Sequence, residues 1–319
     1  MSSLGETADV DHFRRGNPVF SKSAVAVAAV AVVALAGCGA PPAPQALPPA
    51  APPATSASPT VSNHDFEDLE RSFGARLGVY VVDTGSGHEV AYRADERFAY
   101  ASTHKVFSAA AVLQKVGMAG LDRVIKYGPA DVVADSPITQ KHAGAGMTLS
   151  AIMDAALRYS DNTGGNMLFR ELGGPAALST WLRSIGDTTT HVDRIEPTLN
   201  ETAPGDLRDT TTPRAWARSL RTVVLGDTLP APLRTVLTNT MRASTTGTHL
   251  VRAGVPAGWQ VADKSGTADH GTRNDIAIAW PLGRAPIVFV VFSDRPAADA
   301  PTDDALVARA AAAAVKALG

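Results

Sequence analysis

The spacing of apolar residues changes character twice along the chain. Phe66, Leu69 and Phe73 fall at helical spacing, which predicts a short amphipathic helix over His64 to Phe73. Leu77 to Asp83 and Glu89 to Arg93 then read as two short strands joined through Thr84-Gly85-Ser86-Gly87, a hairpin signal. A small-residue apolar run, Val106 to Leu113, opens a long helical region. It continues with Ser150 to Leu157, Gly165 to Leu172, Ala176 to Ile185 and Pro213 to Leu225, separated by loops carrying Gly, Pro and Asp. Strand character returns in Trp259 to Asp263, Asp275 to Trp280 and Ile287 to Phe292, rich in β-branched and aromatic residues. A last helix starts near Pro301-Thr302-Asp303-Asp304, acidic at its N-terminus, and runs through alanines to Leu318. The order strand–helices–strand predicts an α/β (α+β) fold of two lobes. A mainly antiparallel sheet from both chain ends carries the terminal helices, and an all-helical lobe of about residues 119–240 is inserted into it.

The first 62 residues break this pattern. Arg14, Arg15 and Lys22 precede Ala24 to Ala36, an apolar stretch too short to span a bilayer. It ends in Leu35-Ala36-Gly37-Cys38, which resembles the lipobox of a bacterial lipoprotein signal peptide. That resemblance implies removal of residues 1–37, lipidation of Cys38 and anchoring to the outer face of the bacterial cell membrane. A plain secretory signal would instead leave the protein periplasmic or secreted. Arg14-Arg15 leaves twin-arginine export open. Residues 38–62, dominated after Cys38 by Pro, Ala and Ser, predict an extended tether. The folded part is expected over residues 63–319.

Composition narrows the function without naming it. The chain has 319 residues, 45% hydrophobic and 19% charged, as a soluble protein with a sizeable core requires. A net charge of -2 points to neither nucleic acid nor an anionic surface as partner. Cys38 is the one cysteine, so no intrachain disulfide can form. The eight histidines are scattered without ligand spacing, so no metal site and no cofactor are expected. A monomer is expected.

Candidate chemistry centres on Ser102-Thr103-His104-Lys105. If Ser102 opens the helix, Lys105 lies one turn later on the same face, where it can take the serine proton or hold charge beside it. Alone, the pair reads equally as a helix cap followed by a solvated lysine. Ser160-Asp161-Asn162 offers a hydroxyl and an amide, or only a capped polar turn. Arg194 and Asp209 bracket an irregular loop that pairing at its neck would close as an Ω-loop. Within it, Glu196-Pro197 is a bond that takes the cis form at low cost, which could turn the glutamate inward. Lys264-Ser265-Gly266-Thr267-Ala268 is read as the end of a strand. There Thr267 could lend a backbone N–H to an oxyanion hole, while Lys264 and Arg273 supply charge for a carboxylate.

Each motif is weak alone, but their order and contents resemble the class A serine β-lactamases over nearly all of residues 64–319. Leu199-Asn200, Pro204-Gly205-Asp206, Arg208-Asp209-Thr210 and Arg252 to Pro256 before Gly258-Trp259 extend the match beyond the short motifs. The resemblance implies a β-lactamase/DD-peptidase-like fold and hydrolysis of penicillins, with cephalosporins a further candidate, through a covalent acyl-enzyme. It implies Ser102 as nucleophile and Lys105 as its partner. Glu196, with Asn200, would activate the deacylating water, and Ser160 with Lys264 would pass a proton to the leaving nitrogen. Asn162 would bind the acylamido side chain. The N–H groups of Ser102 and Thr267 would form the oxyanion hole, and Ser265, Thr267 and Arg273 would hold the substrate carboxylate. Asp161, Arg194 and Asp209 are read as structural, and His104 and His270 as surface or supporting residues. The family leaves the acylation base open between Glu196 and Lys105. One departure stands at the site mouth, where Asp135 occupies a position that commonly carries an aromatic. The alternatives are a DD-peptidase or β-lactam-sensing acyl-transfer protein, and a non-catalytic wall-associated lipoprotein. The intact Glu196-to-Asn200 element argues against the first.

Overall fold

A computed structural model describes residues 63–319; the expected signal, Cys38 and tether lie outside the described residues. Helices span His64–Phe73 (α1), His104–Val116 (α2), Leu149–Arg158 (α3), Asn162–Leu172 (α4) and Pro175–Ser184 (α5). They continue with Pro213–Val224 (α6), Ala231–Arg242 (α7), Val251–Gly254 (α8) and Asp304–Leu318 (α9). Strands span Arg76–Asp83 (β1), Glu89–Tyr92 (β2), Phe98–Ala99 (β3), Val124–Ile125 (β4) and Met147–Thr148 (β5). The remaining strands are Thr210–Thr211 (β6), Gln260–Ala268 (β7), Thr272–Trp280 (β8) and Ile287–Asp294 (β9).

The main sheet has the order β2-β1-β9-β8-β7, antiparallel throughout, with strands from both chain ends. β1 lies against β9, Tyr80 opposite Val290, so the first strand after α1 pairs with the last before α9. Both faces are covered, and the strands therefore read as nearly continuous apolar runs. Alternate residues divide the core in two. Leu77, Val79, Val81, Phe289 and Val291 meet the terminal helices through Phe66, Leu306, Val307 and Ala310. Tyr80, Val82, Val288, Val290 and Phe292 meet the other helices through Phe107, Trp216 and Leu220. Burying one such large side chain contributes roughly 1.5–3 kcal/mol.

Local chemistry sets the helix boundaries. Thr148, Asp161, Thr212 and Asp303 each accept a backbone N–H at the start of α3, α4, α6 and α9. Gly74, at φ 56°, ends α1 in the left-handed conformation that glycine adopts without steric cost. α7 adds a helix that the sequence pattern does not separate from the rest of the helical region. Its buried Leu233, Leu237 and Met241 repeat every four residues, and it packs beside β7 and α2. Two expected boundaries shift. The residues around Ser102 form a 3₁₀ turn, Ala101–Thr103, before the α-helix proper begins at His104. The strand expected over Trp259 to Asp263 runs on to Ala268, so that Lys264 lies within β7 and the motif that follows it forms the strand's end. Ser265, Gly266 and Thr267 lack apolar character, yet they pair in register with Asp275, Asn274 and Arg273.

Candidate active site

Ser102 sits where the 3₁₀ turn meets the buried start of α2, against the edge strand β7. The approach is close enough to require glycine. A Cβ on Gly266 would stand 3.0 Å from the Tyr100 carbonyl oxygen and 3.1 Å from the Ala101 Cβ. Ala101 (φ 49°) and Ser160 (φ 58°) hold left-handed backbone on either side of the serine, a conformation costly for non-glycine residues and common at functional sites.

Lys105 Nζ has four oxygens around it. It donates to Ser102 Oγ at 2.7 Å, Asn162 Oδ1 at 2.7 Å and the Ser160 carbonyl at 2.8 Å, and lies 2.9 Å from Glu196 Oε1. Gly165 on α4 makes room for the lysine stem, because a Cβ there would stand 2.7 Å from Lys105 Cε. Ser102 Oγ lies 3.3 Å from Glu196 Oε1, so the hydroxyl is held between a lysine and a carboxylate.

Glu196 reaches this point from the loop between Arg194 and Asp209. Arg194 Nε donates to Asp209 Oδ2 at 2.6 Å, and Asp209 Oδ1 accepts from the N–H of Asp193 and Arg194 and from the Tyr100 hydroxyl. The loop is therefore closed at its neck as expected. The Glu196–Pro197 peptide is cis. Asn200 Nδ2 donates to Glu196 Oε2 at 2.5 Å, and the Asn200 carbonyl accepts from Asp269 N–H, tying the loop to the β7–β8 turn. Burial pushes the Glu196 carboxyl up, but the Lys105 charge and the hydrogen bonds from His104 and Lys105 outweigh it. The group is held well below the usual carboxylate range.

Ser160 joins the second lysine to the first. Its carbonyl accepts from Lys105, and its hydroxyl accepts from Lys264 Nζ at 2.9 Å. Lys264 also donates to the Ser265 carbonyl at 2.7 Å. Burial, with the charge of Lys105, pushes the Lys264 ammonium well below the ordinary lysine value. Asp161 between Ser160 and Asn162 is wholly buried. Its oxygens accept from the N–H groups of Ile138, Thr139 and Gly164 and from the Thr139 hydroxyl, which supports its structural reading.

The structure thus links Ser102, Lys105, Ser160, Asn162, Glu196, Asn200 and Lys264 in one network. Ser265, Thr267 and Arg273 form an adjoining group. Ser265 Oγ donates to Thr246 Oγ1 at 2.7 Å, and Arg273 donates to Thr267 Oγ1 at 2.9 Å while Asp304 holds its Nε. Sequence reasoning missed Asn166, which hydrogen-bonds the Glu196 backbone, and Thr246, which meets Ser265. It also left His104 undecided; the ring is wholly buried beside Glu196. His270 is half-buried and its Nδ1 faces the Arg295 and Pro296 carbonyls, away from the network. Among the described residues no group of His, Cys, Asp and Glu gathers to hold a metal. A groove of about 920 Å³ lies behind the loop, lined by Thr202 to Arg208, Arg76 and Arg295, and it does not include Ser102.

A buried hydroxyl between a lysine and a carboxylate, with a second lysine joined through a serine, defines a serine acyl-transfer hydrolase. The model of the β-lactamase enzyme family matches residues 63–318. A β-lactamase of Bacillus amyloliquefaciens is 52% identical over 257 residues, covering 81% of this chain and 84% of that protein. The carbapenem-hydrolysing β-lactamase KPC of Klebsiella oxytoca is 48% identical over 259 residues, covering 80% and 88%. The crystal structure of a halotolerant bacterial β-lactamase matches with a TM-score of 0.78 at 50% identity, covering 80% and 98%. The chain belongs to the β-lactamase enzyme family, as a class A serine enzyme.

Proposed function

We propose that this enzyme hydrolyses the lactam amide of penicillins, and of cephalosporins to a degree set by its site mouth, and so confers resistance to them. The observation that carries the reading is the placement of Glu196 Oε1 within reach of both Ser102 Oγ and Lys105 Nζ. In this reading Ser102 Oγ attacks the lactam carbonyl while its proton passes to Glu196, or to Lys105 once that amine has given up a proton of its own. The N–H groups of Ser102 and Thr267 hold the developing oxyanion. As the C–N bond breaks, the Ser160 hydroxyl gives its proton to the leaving nitrogen and is reprotonated through Lys264, to which it is bonded. Glu196, aligned by Asn200, then takes a proton from a water that attacks the ester, and Ser102 is released. Asn162 contacts the acylamido side chain, and Ser265, Thr267 and Arg273 hold the carboxylate.

The second base separates hydrolysis from mere acylation. Mixing the protein with benzylpenicillin, and following lactam absorbance with intact-protein mass, tests this. Turnover abolished in Ser102→Ala, with a persistent adduct in Glu196→Gln, is expected. A stable adduct on the unmutated protein would favour a penicillin-binding acyl-transfer protein instead. We further propose that the enzyme acts as a monomer held to the outer face of the cell membrane through lipid on Cys38. Fatty-acid labelling of the full chain, lost in Cys38→Ser, is the corresponding test.

A further inference from the structure

His104 has no part in the steps above, yet its ring closes one side of the Glu196 carboxylate. The ring is wholly buried and stacks on Phe169, centroids 4.8 Å apart and planes within 19°. Its Nδ1 lies 3.1 Å from Ser108 Oγ, and its Nε2 lies 3.4 Å from Glu196 Oε1, long for a hydrogen bond but within reach. Glu196 Oε1 is therefore approached by Ser102, Lys105 and His104 together, while Asn200 holds Oε2.

The partners decide the tautomer. An ionised carboxylate only accepts, so the contact requires a proton on Nε2. In a neutral ring Nδ1 is then bare, and the Ser108 hydroxyl satisfies it as donor. The ring is held neutral by its surroundings. Burial pushes the imidazole down, Lys105 on its own helix and Lys264 on β7 push the same way, and Glu196 opposes them. Tyr100, tilted toward the ring at 6.0 Å, is kept as a neutral phenol by burial and by Asp209. α4 presents the uncharged Phe169.

We propose that His104 is a positioning residue for Glu196, donating Nε2–H to Oε1 and so setting both the orientation and the basicity of the carboxylate that activates water. The inference rests on the reading of Glu196 as deacylation base. A hydrogen bond to the ionised form favours that form, so its loss makes the carboxylate easier to protonate. The acid limb of deacylation then moves to higher pH.

The test is the pH profile of acyl-enzyme breakdown for the unmutated protein, His104→Phe, His104→Gln and Glu196→Gln. Phenylalanine keeps the stack on Phe169 and lacks the donor; glutamine restores an N–H. The acid limb of His104→Phe is expected to rise by roughly half a pH unit, with His104→Gln in between. Rates lowered evenly at every pH, with the limb unmoved, would make His104 a filler and overturn the inference. Nitrogen-15 NMR of the unmutated protein gives a readout that needs no variant to fold. A neutral ring with its proton on Nε2 is expected, and one with its proton on Nδ1 alone overturns the inference. Glu196→Gln separates the two readings. If that variant deacylates like the unmutated protein, the role of Glu196 fails and the inference with it. If it stalls while the His104→Phe limb stays in place, the inference about His104 alone fails.

Discussion

Asn166 holds the backbone of Glu196 from both sides. Its side-chain oxygen accepts the Glu196 N–H at 2.9 Å, and its side-chain nitrogen donates to the Glu196 carbonyl at 2.8 Å. The residue stands on α4, whose start is capped by Asp161, so the rigid helix that carries Asn162 also fixes the height of the loop. Asn166→Ala is expected to leave acylation nearly intact and slow deacylation at least tenfold, with a stability loss of about 1 kcal/mol. Pre-steady-state mass spectrometry would show an accumulating adduct. Equal losses in both steps would mean that the contact serves the fold alone.

Sequence alone reached the residues that chemistry marks by type. A serine and a lysine three apart, a glutamate beside proline and a loop bracketed by Arg194 and Asp209 each have a physical reason to be singled out. The sheet was legible because its covered faces demand long apolar runs, as in Ile287 to Phe292. What stayed hidden depends on distance along the chain. Asn166 meets Glu196 across 30 residues, and Ser265 meets Thr246 across the turn of chain that contains α8. No periodicity encodes such pairs. The polar end of β7 was legible only as the continuation of the apolar stretch Trp259 to Asp263. Ser265 to Thr267 owe their strand conformation to pairing with β8, and their composition gives no sign of it.

Asp135 stands at the mouth with its side chain exposed and φ at 58°, and its carbonyl accepts the Asn162 N–H at 3.0 Å. The backbone thus serves the site while the side chain is left exposed. A carboxylate there offers no stacking surface and repels anionic substrates. Asp135→Tyr is expected to lower KM for carboxypenicillins severalfold, with some loss of thermal stability because an aromatic residue tolerates positive φ less well than aspartate. Unchanged KM would remove Asp135 from the account of specificity.

Lys264 carries a pH signature. Its folded value is pushed well below the ordinary 10.5, chiefly by burial and then by Lys105. Between the two values the unfolded chain binds the proton and the folded chain does not, so stability rises with pH across that window. The charge needed for substrate is lost over the same window, and kcat/KM should fall on the alkaline side earlier than an ordinary lysine would allow. Lys264→Arg, charged at every accessible pH, is expected to move that limb upward even if its maximum is lower. Lys264→Met is expected to lose the alkaline gain in stability. Limbs that coincide in the unmutated and arginine proteins would show that another group sets the profile.

Asp209 links the neck of the loop to the turn that bears the nucleophile. One oxygen gathers the Asp193 and Arg194 N–H groups and the Tyr100 hydroxyl, and the other takes Arg194 Nε. Its own carbonyl accepts from Tyr100 N–H, two residues before Ser102. Asp209→Ala would leave two backbone N–H groups, the Tyr100 hydroxyl and Arg194 Nε without their acceptor, and the Arg194 guanidinium without its counter-charge. A broken pair of this kind costs on the order of 3 kcal/mol. Asp209→Asn keeps one oxygen and should recover part of that loss. Because Glu196 hangs from the neck while Ser102 is also held by α2 and β7, deacylation should fall further than acylation. Urea denaturation and single-turnover kinetics on both variants would test this. Acylation falling as far as deacylation would show that the damage passes through Tyr100 to the nucleophile rather than through the loop to the base.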